Sequence, residues 1–213
     1  MATSEIRFIT CTPALLEKTF DLRETDTLPS LDAWLAMPAD ISDFERQALL
    51  HYQKVLVFNV RDWYETELDS HFIGPIFALV NFSTYDFNHF EERDLSAVIG
   101  SVRLYGRPDG MVARGRHEPE TPYFAFQEYK RMTDPNGNPA GQCMGAMLAG
   151  QALNNDGLPV YGCFVIGNLW YFTTLEGQQY AINSGYLATS DDLFDIFRIL
   201  KALKQIVTER TAA

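Results

Sequence analysis

The 213-residue sequence is short of cysteine, of charge and of long apolar runs, and each shortage excludes something. Its three cysteines, Cys11, Cys143 and Cys163, lie far apart with no CxxC and no nearby histidine pair. That spacing supports neither a disulfide framework nor a zinc site, so small buried thiols are expected. The four histidines, His51, His71, His89 and His117, form no HxH or HExxH pattern. No run of about 18 apolar residues is present, and Met1-Ala2-Thr3-Ser4-Glu5 lacks the basic start and apolar run of a signal peptide. A cytoplasmic protein without membrane contact is the expectation. Glycine-rich phosphate loops of the GxxxxGK[ST] or GxGxxG kind are missing too, and no internal repeat is visible.

What is present is a large apolar and aromatic fraction. Hydrophobic residues make up 46%, charged residues only 21%, and there are 15 Phe, 10 Tyr and 3 Trp. Such a chain can bury a full core as one domain and is no disordered segment. The formal charge is −11 and the pI about 4.7. A polyanion is repelled unless lysines and arginines cluster locally, metal ions offset the carboxylates, or a partner subunit supplies affinity. A homo-oligomer is compatible with this composition.

The chain changes texture part-way. A short strand is expected from Ile6 to Ile9 and a helix from Ser30 to Met37. Ser42-Asp43-Phe44-Glu45 is a capping box for a helix running to about Val60, with Phe44, Leu49, Tyr52, Leu56 and Val60 offered to one face. Asp62 to Glu65 repeats that signal for a second helix bearing Tyr64, Leu68, Phe72, Ile76 and Val80, which Pro75 kinks or ends. From Leu95 to Tyr129 apolar runs broken by Gly and Pro read as three antiparallel strands, turning at 106–110 and 115–121. After the loop signal at 134–139 come a helix from Ala140 to Leu153, strands from Val160 to Ile166 and Leu169 to Leu175, and an amphipathic helix from Ser190 to Val207. The expected fold class is α/β, a single mixed sheet flanked by helices. Residues 1–61 are expected as an N-terminal helical extension packed on a core of 62–213.

Chemistry concentrates in the third of these strands. Glu128 and Lys130 are two apart, so the strand period places both on one face, together with Phe124 and Phe126. Burying a Glu and a Lys beside two Phe is costly unless they pair or hold an ion. Asp109 ends the preceding turn, and a strand out and a strand back can bring it to Glu128. Two carboxylates, a backbone carbonyl and waters suit Mg²⁺ or Mn²⁺, and an adjacent lysine can serve the attacking water in phosphodiester hydrolysis.

Pro108-Asp109 followed by Glu128-Tyr129-Lys130, on this meander after a helix, resembles the PD-(D/E)XK superfamily of restriction-endonuclease-like nucleases. The resemblance covers the order of elements from Asp62 to Val207 and a motif of five residues. It implies that Asp109 and Glu128 ligate the metal with help from the Tyr129 carbonyl, and that Lys130 serves the water. It also implies an acidic residue on the helix before the sheet and a glutamine on the helix after it. Among Glu65, Glu67 and Asp69, helical periodicity favours Glu65, whose alternative is to serve as capping partner of Asp62. Gln142 is the matching glutamine, with a solvated first-turn side chain as its alternative. Arg103, Arg107, Arg114, Arg116 and Arg131 add positive charge near the motif. The implied activity is Mg²⁺-dependent cleavage of nucleic acid, DNA rather than RNA, in restriction, defence or repair. The alternative is an inactive nuclease-like fold used for binding or assembly.

Overall fold

The computed structural model describes residues 4–133 and 137–212. Its strands are β1 (Ser4–Arg7), β2 (Arg23–Glu24), β3 (Phe87–Glu91), β4 (Leu95–Ile99), β5 (Val102–Gly106), β6 (Gly110–Arg114), β7 (Glu120–Lys130), β8 (Val160–Ile166), β9 (Leu169–Glu176), β10 (Gln179–Ile182) and β11 (Tyr186–Leu187). The helices are α1 (Pro13–Phe20), α2 (Pro29–Ala36), α3 (Asp43–Asn59), α4 (Glu65–Leu68), α5 (Gly74–Val80), α6 (Pro139–Asn154) and α7 (Asp192–Ala212). No helix among the described residues is long and apolar enough to cross a membrane.

The fold is mixed α/β, but its strands form two sheets where the sequence suggests one. A three-stranded sheet runs β1-β5-β4, and the larger sheet runs β2-β10-β9-β8-β7-β6-β3 with β11 on β9. The expected meander is therefore divided. β5 leaves for the small sheet, where it pairs with β4 and, in parallel, with β1, while β6 pairs with β3 and β7. The segment 107–109 is a crossover between sheets rather than a hairpin turn. β3 carries Phe87 and Phe90 buried in different cores, with Asn88 and His89 between them, so neither face shows the period of two.

The first 61 residues are not only helical. β1 pairs with β5, and β2 pairs with β10.

Two cores follow from the layering. On one face of the large sheet, α2, α5 and α7 bury Trp34, Phe72, Trp170, Phe172 and Phe197. Trp34 Nε1 donates to the Ile199 carbonyl at 2.9 Å, which satisfies the one polar atom of that buried ring. On the other face lies α6, packed against β7 and β8 on one side and against β4 and β5 on the other. A helix flanked by two sheets has no solvent side, and the sequence of α6 shows it: from Pro139 to Gly150 it contains no charged residue and is buried almost throughout. Gly141 and Gly145 let the N-terminal segment lie directly on this helix. A Cβ at Gly141 would stand 2.5 Å from the Cys11 carbonyl oxygen, and one at Gly145 would stand 3.0 Å from the Cys11 sulfur. Gly141→Ala is expected to destabilise by about 1–3 kcal/mol in urea unfolding, because a backbone clash outweighs the ~1 kcal/mol helix-propensity gain.

The helix before the sheet departs from the simple reading at two places. A π-helical turn, Asp69–Ile73, joins α4 to α5. The Gly74 N–H reaches back to the Asp69 carbonyl, and the widened turn lets the helical run pass Pro75, which has no N–H to give. In α3, Leu49, Leu56 and Val60 are buried as expected, whereas Phe44 points outward. Its angle on the helical wheel lies well off theirs.

Candidate metal-carboxylate site

β7 is the strand that brings the candidate residues together. Near its start the period of two breaks: Val112 pairs with Ala125, but Ala113 pairs with Tyr123, so Phe124 has no partner on β6. This bulge sends Phe124 into the core beneath α5 and α7, while Phe126 packs under α6. Phe124 thus does not share a face with Phe126, Glu128 and Lys130, as strict alternation suggests. Beyond the bulge the alternation resumes, and the C-terminal end of β7 delivers Glu128 and Lys130 beside α6 and Tyr129 to the opposite core.

The lysine ammonium is the centre of the arrangement. Lys130 Nζ donates to Glu128 Oε1 at 2.8 Å, to the Tyr129 carbonyl at 2.7 Å and to Glu65 Oε1 at 3.3 Å. Asp109 Oδ2 accepts the Tyr129 backbone N–H at 2.6 Å, which fixes it at the end of β7. Gln142 is buried, not solvated. With the amide oriented to suit its neighbours, its Nε2 donates to Glu128 Oε1 at 2.8 Å and its Oε1 accepts from the Asn138 N–H at 3.3 Å. Glu65, Asp109, Glu128, Lys130 and Gln142 line one groove of about 510 Å³ together with Arg7, Tyr105 and Arg107.

Glu65 is free for this site because another acid caps its helix. Glu67 Oε2 accepts the Tyr64 N–H at 2.8 Å, so the capping role foreseen for Glu65 with Asp62 belongs to its neighbour. Asp69 lies with Glu65 in an adjoining pocket that also takes in Glu91, Glu92 and Asp109.

Crowding of acids shifts their protonation. Burial, then repulsion from Asp109, pushes Glu128 up to about 8 against the pull of Lys130. Burial also lifts Asp109 to about 6; Lys130 and the Tyr129 N–H oppose this, while Glu65 and Asp69 add to it. Asp69 rises to about 6 through burial and then the charges of Glu91, Glu92 and Glu65. Burial works against the charged form of Lys130, yet Glu128, Asp109 and Glu65 together hold it above the usual lysine range. One ammonium shared among three carboxylates does not neutralise them, and the proton affinity of Glu128 and Asp109 records the excess.

These donors are hard oxygens, the set Mg²⁺ and Mn²⁺ prefer. Three carboxylates around one ammonium leave an excess of negative charge once deprotonated, which a divalent cation can take up in place of protons. Among the described residues, no three His, Cys, Asp or Glu side chains are gathered tightly enough to form a ready cage. The fit is that of two carboxylates, a carbonyl and waters, with the ammonium now holding the Glu128 and Tyr129 oxygens.

Several contributors carried no sequence signal. Arg7 comes from a segment far from the motif. Gly110 follows Asp109 because any side chain there would strike Gln127 Oε1 or His89 Nε2, at 2.6 and 2.7 Å from an added Cβ. Burial pushes His89 down to about 4, so it sits neutral behind Asp109, hydrogen-bonded to Gln127 at 3.3 Å. Asn138, the backbone partner of Gln142, lies at the edge of the loop foreseen at 134–139, of which 134–136 fall outside the described residues. In comparisons with known proteins, no family model and no curated sequence matches the chain.

Proposed function

We propose that the chain is a Mg²⁺- or Mn²⁺-dependent phosphodiesterase acting on nucleic acid, DNA rather than RNA, on a restriction-endonuclease-like scaffold. The observation that carries this reading is the gathering of Glu65 and Glu128 on the single ammonium of Lys130, with Asp109 lining the same groove and bound to the Tyr129 N–H. Asp109 and Glu128 would hold the metal with the Tyr129 carbonyl, and Glu65 would contribute from the helix. A divalent cation bound there supplies Lewis-acid stabilisation of the charge that grows on the phosphodiester. Lys130 is held protonated by three acids, so its role is to orient the attacking water by N–H donation rather than to remove its proton. Gln142 fixes the rotamer of Glu128 from α6.

A second reading has its own support. Every donor of Lys130 already has an oxygen, and the net charge is −11, which suits a structural ion-pair network in a fold used for binding or assembly. Calorimetric titration with Mn²⁺ separates the two. Wild-type protein is expected to bind the ion and Asp109→Ala to lose that binding; a wild type indifferent to both Mg²⁺ and Mn²⁺ removes the metal reading. Metal-dependent cleavage of a single strand or plasmid, absent in the variant, supports the enzyme over the module.

A further inference from the structure

We infer that Arg7 is a phosphate-binding residue of the groove, and that the groove takes a single nucleic-acid strand rather than a duplex. The inference rests on the phosphodiesterase reading and names the substrate class for it.

Arg7 ends β1, opposite Tyr105 in the parallel register with β5. It lines the same groove as Asp109, Glu128, Lys130 and Gln142. The other cations around it are committed. Arg107 forks onto both oxygens of Asp94 at 2.6 and 3.2 Å, Arg103 meets Glu5 at 3.1 Å, and Lys130 is held by its three oxygens. Arg7 makes no ion pair and no hydrogen bond through its guanidinium among the described residues; its backbone is in the ladder with β5, and its carbonyl accepts from Thr10 and Cys11. A guanidinium with its fork open beside a carboxylate-and-lysine site is suited to a phosphate, which it can meet with two parallel N–H donors.

The position of Arg7 is fixed by its neighbours. Phe8 packs so closely on Gly106 that an added Cβ there would come within 2.7 Å of the ring, and the following turn lies on Gly141 and Gly145 of α6. The backbone that carries Arg7 is therefore clamped between the small sheet and the central helix, while its side chain stays exposed. That combination places a charge without ordering cost in the backbone.

Depth selects the strand. Glu128, Lys130 and Gln142 are each at most 5% exposed, at the bottom of a groove of about 510 Å³. A duplex, with a persistence length of about 150 bp, is too stiff to bend one backbone down to that floor at little cost. A single strand can, and the ring of Tyr105 and the side chain of Ile9 at the groove offer a base something to stack on. With −11 overall, the chain also meets less repulsion from a single strand, whose charge density is lower.

The test uses the full chain and a fluorescent oligothymidylate in Ca²⁺, read by anisotropy as salt is varied, with a duplex of the same length alongside. Arg7→Ala is expected to weaken single-strand binding about tenfold and to lower the salt slope by about one phosphate, with part of the loss restored in Arg7→Lys. In cleavage, KM is expected to rise more than kcat falls. Mn²⁺ binding by calorimetry is expected to match wild type. If wild type binds Mn²⁺ and cleaves while Arg7→Ala keeps wild-type affinity and salt slope, the role of Arg7 is overturned and the metal site stands. Tighter binding of the duplex overturns the single-strand assignment. Wild type that takes up neither Mn²⁺ nor oligonucleotide overturns the phosphodiesterase reading and this inference with it.

Discussion

Lys130→Met is expected to lower the stability of the metal-free protein by about 3–5 kcal/mol, the cost of leaving a buried ion pair without one partner. Methionine keeps most of the apolar stem, so the loss isolates the charge. The side chains of Lys130 and Glu128 are 6% and 5% exposed, so water cannot take over the ammonium's role. Without it Glu128, already lifted by burial and by Asp109, must bind a proton or stand as an unpaired anion. The penalty should therefore be smaller near pH 6 and grow towards pH 9. Urea unfolding in EDTA at several pH values reads this directly. Mn²⁺ added to the variant should restore much of the loss, because a divalent cation can occupy the oxygens the ammonium gave up. Cleavage should fall by ~100-fold or more even with metal present, as it does when a positioned hydrogen-bond donor at the reacting centre is removed. A stability change below about 1 kcal/mol at every pH would mean that the pair is weak and the acids are relaxed.

The second large effect is the response of stability to pH. Asp109 and Asp69 are raised to about 6 and Glu128 to about 8, from ordinary values of 3.8, 3.8 and 4.5. For acids shifted upward, the folded chain holds more protons than the unfolded chain between the two values. Stability is then greatest below about pH 4 as far as these groups are concerned, and falls as pH rises through 6 and 8. Asp109 alone accounts for roughly 3 kcal/mol of this, lost between about pH 4 and pH 6. A divalent cation reverses the sign of the trend, since it binds the deprotonated acids and stabilises the fold by about 2.7 kcal/mol at a hundred times its Kd. Thermal melts from pH 5 to 8.5 should thus descend in EDTA and flatten or climb in Mn²⁺. Melting curves that climb with pH in EDTA would contradict the crowding of acids in this groove.

Much of the site was legible because its residues obey local rules. Glu128 and Lys130 share a face through simple alternation, and the turn chemistry at Pro108-Asp109 marks the other carboxylate. Glu65 follows from helical periodicity, although which acid caps the helix depends on where its first turn begins, and the Asp62–Glu65 signal places that two residues too early. Gln142 was harder to read. Its helix has small residues all round, the mark of burial, and a polar side chain in such a helix needs a buried partner. What local patterning could not supply was the division of the sheet. Gly106 to Asp109 has the composition of a hairpin turn, and only the competing claim of β1 on β5, nearly a hundred residues away in the chain, draws β5 out of the meander. Phe124 was misread for a related reason: a bulge is a property of two strands in register, and one strand's sequence does not announce it. Arg7 had no motif at all, since its significance comes from which partners its neighbours already hold.

The pairing of β1 with β5 joins Ser4 to Val102 and Arg7 to Tyr105. Contacts separated so widely in sequence close late, because the intervening loop must be ordered before they are rewarded. During synthesis β1 emerges before β5 and must wait for it, and the groove that Arg7 walls is complete only when β7 and α6 have followed. Completion of the groove is in this sense a late event of folding. A ribosome-bound chain stopped before α6 would lack Gln142 and the glycines on which the Arg7 segment rests, so the carboxylate-lined groove closes only once α6 has been laid down.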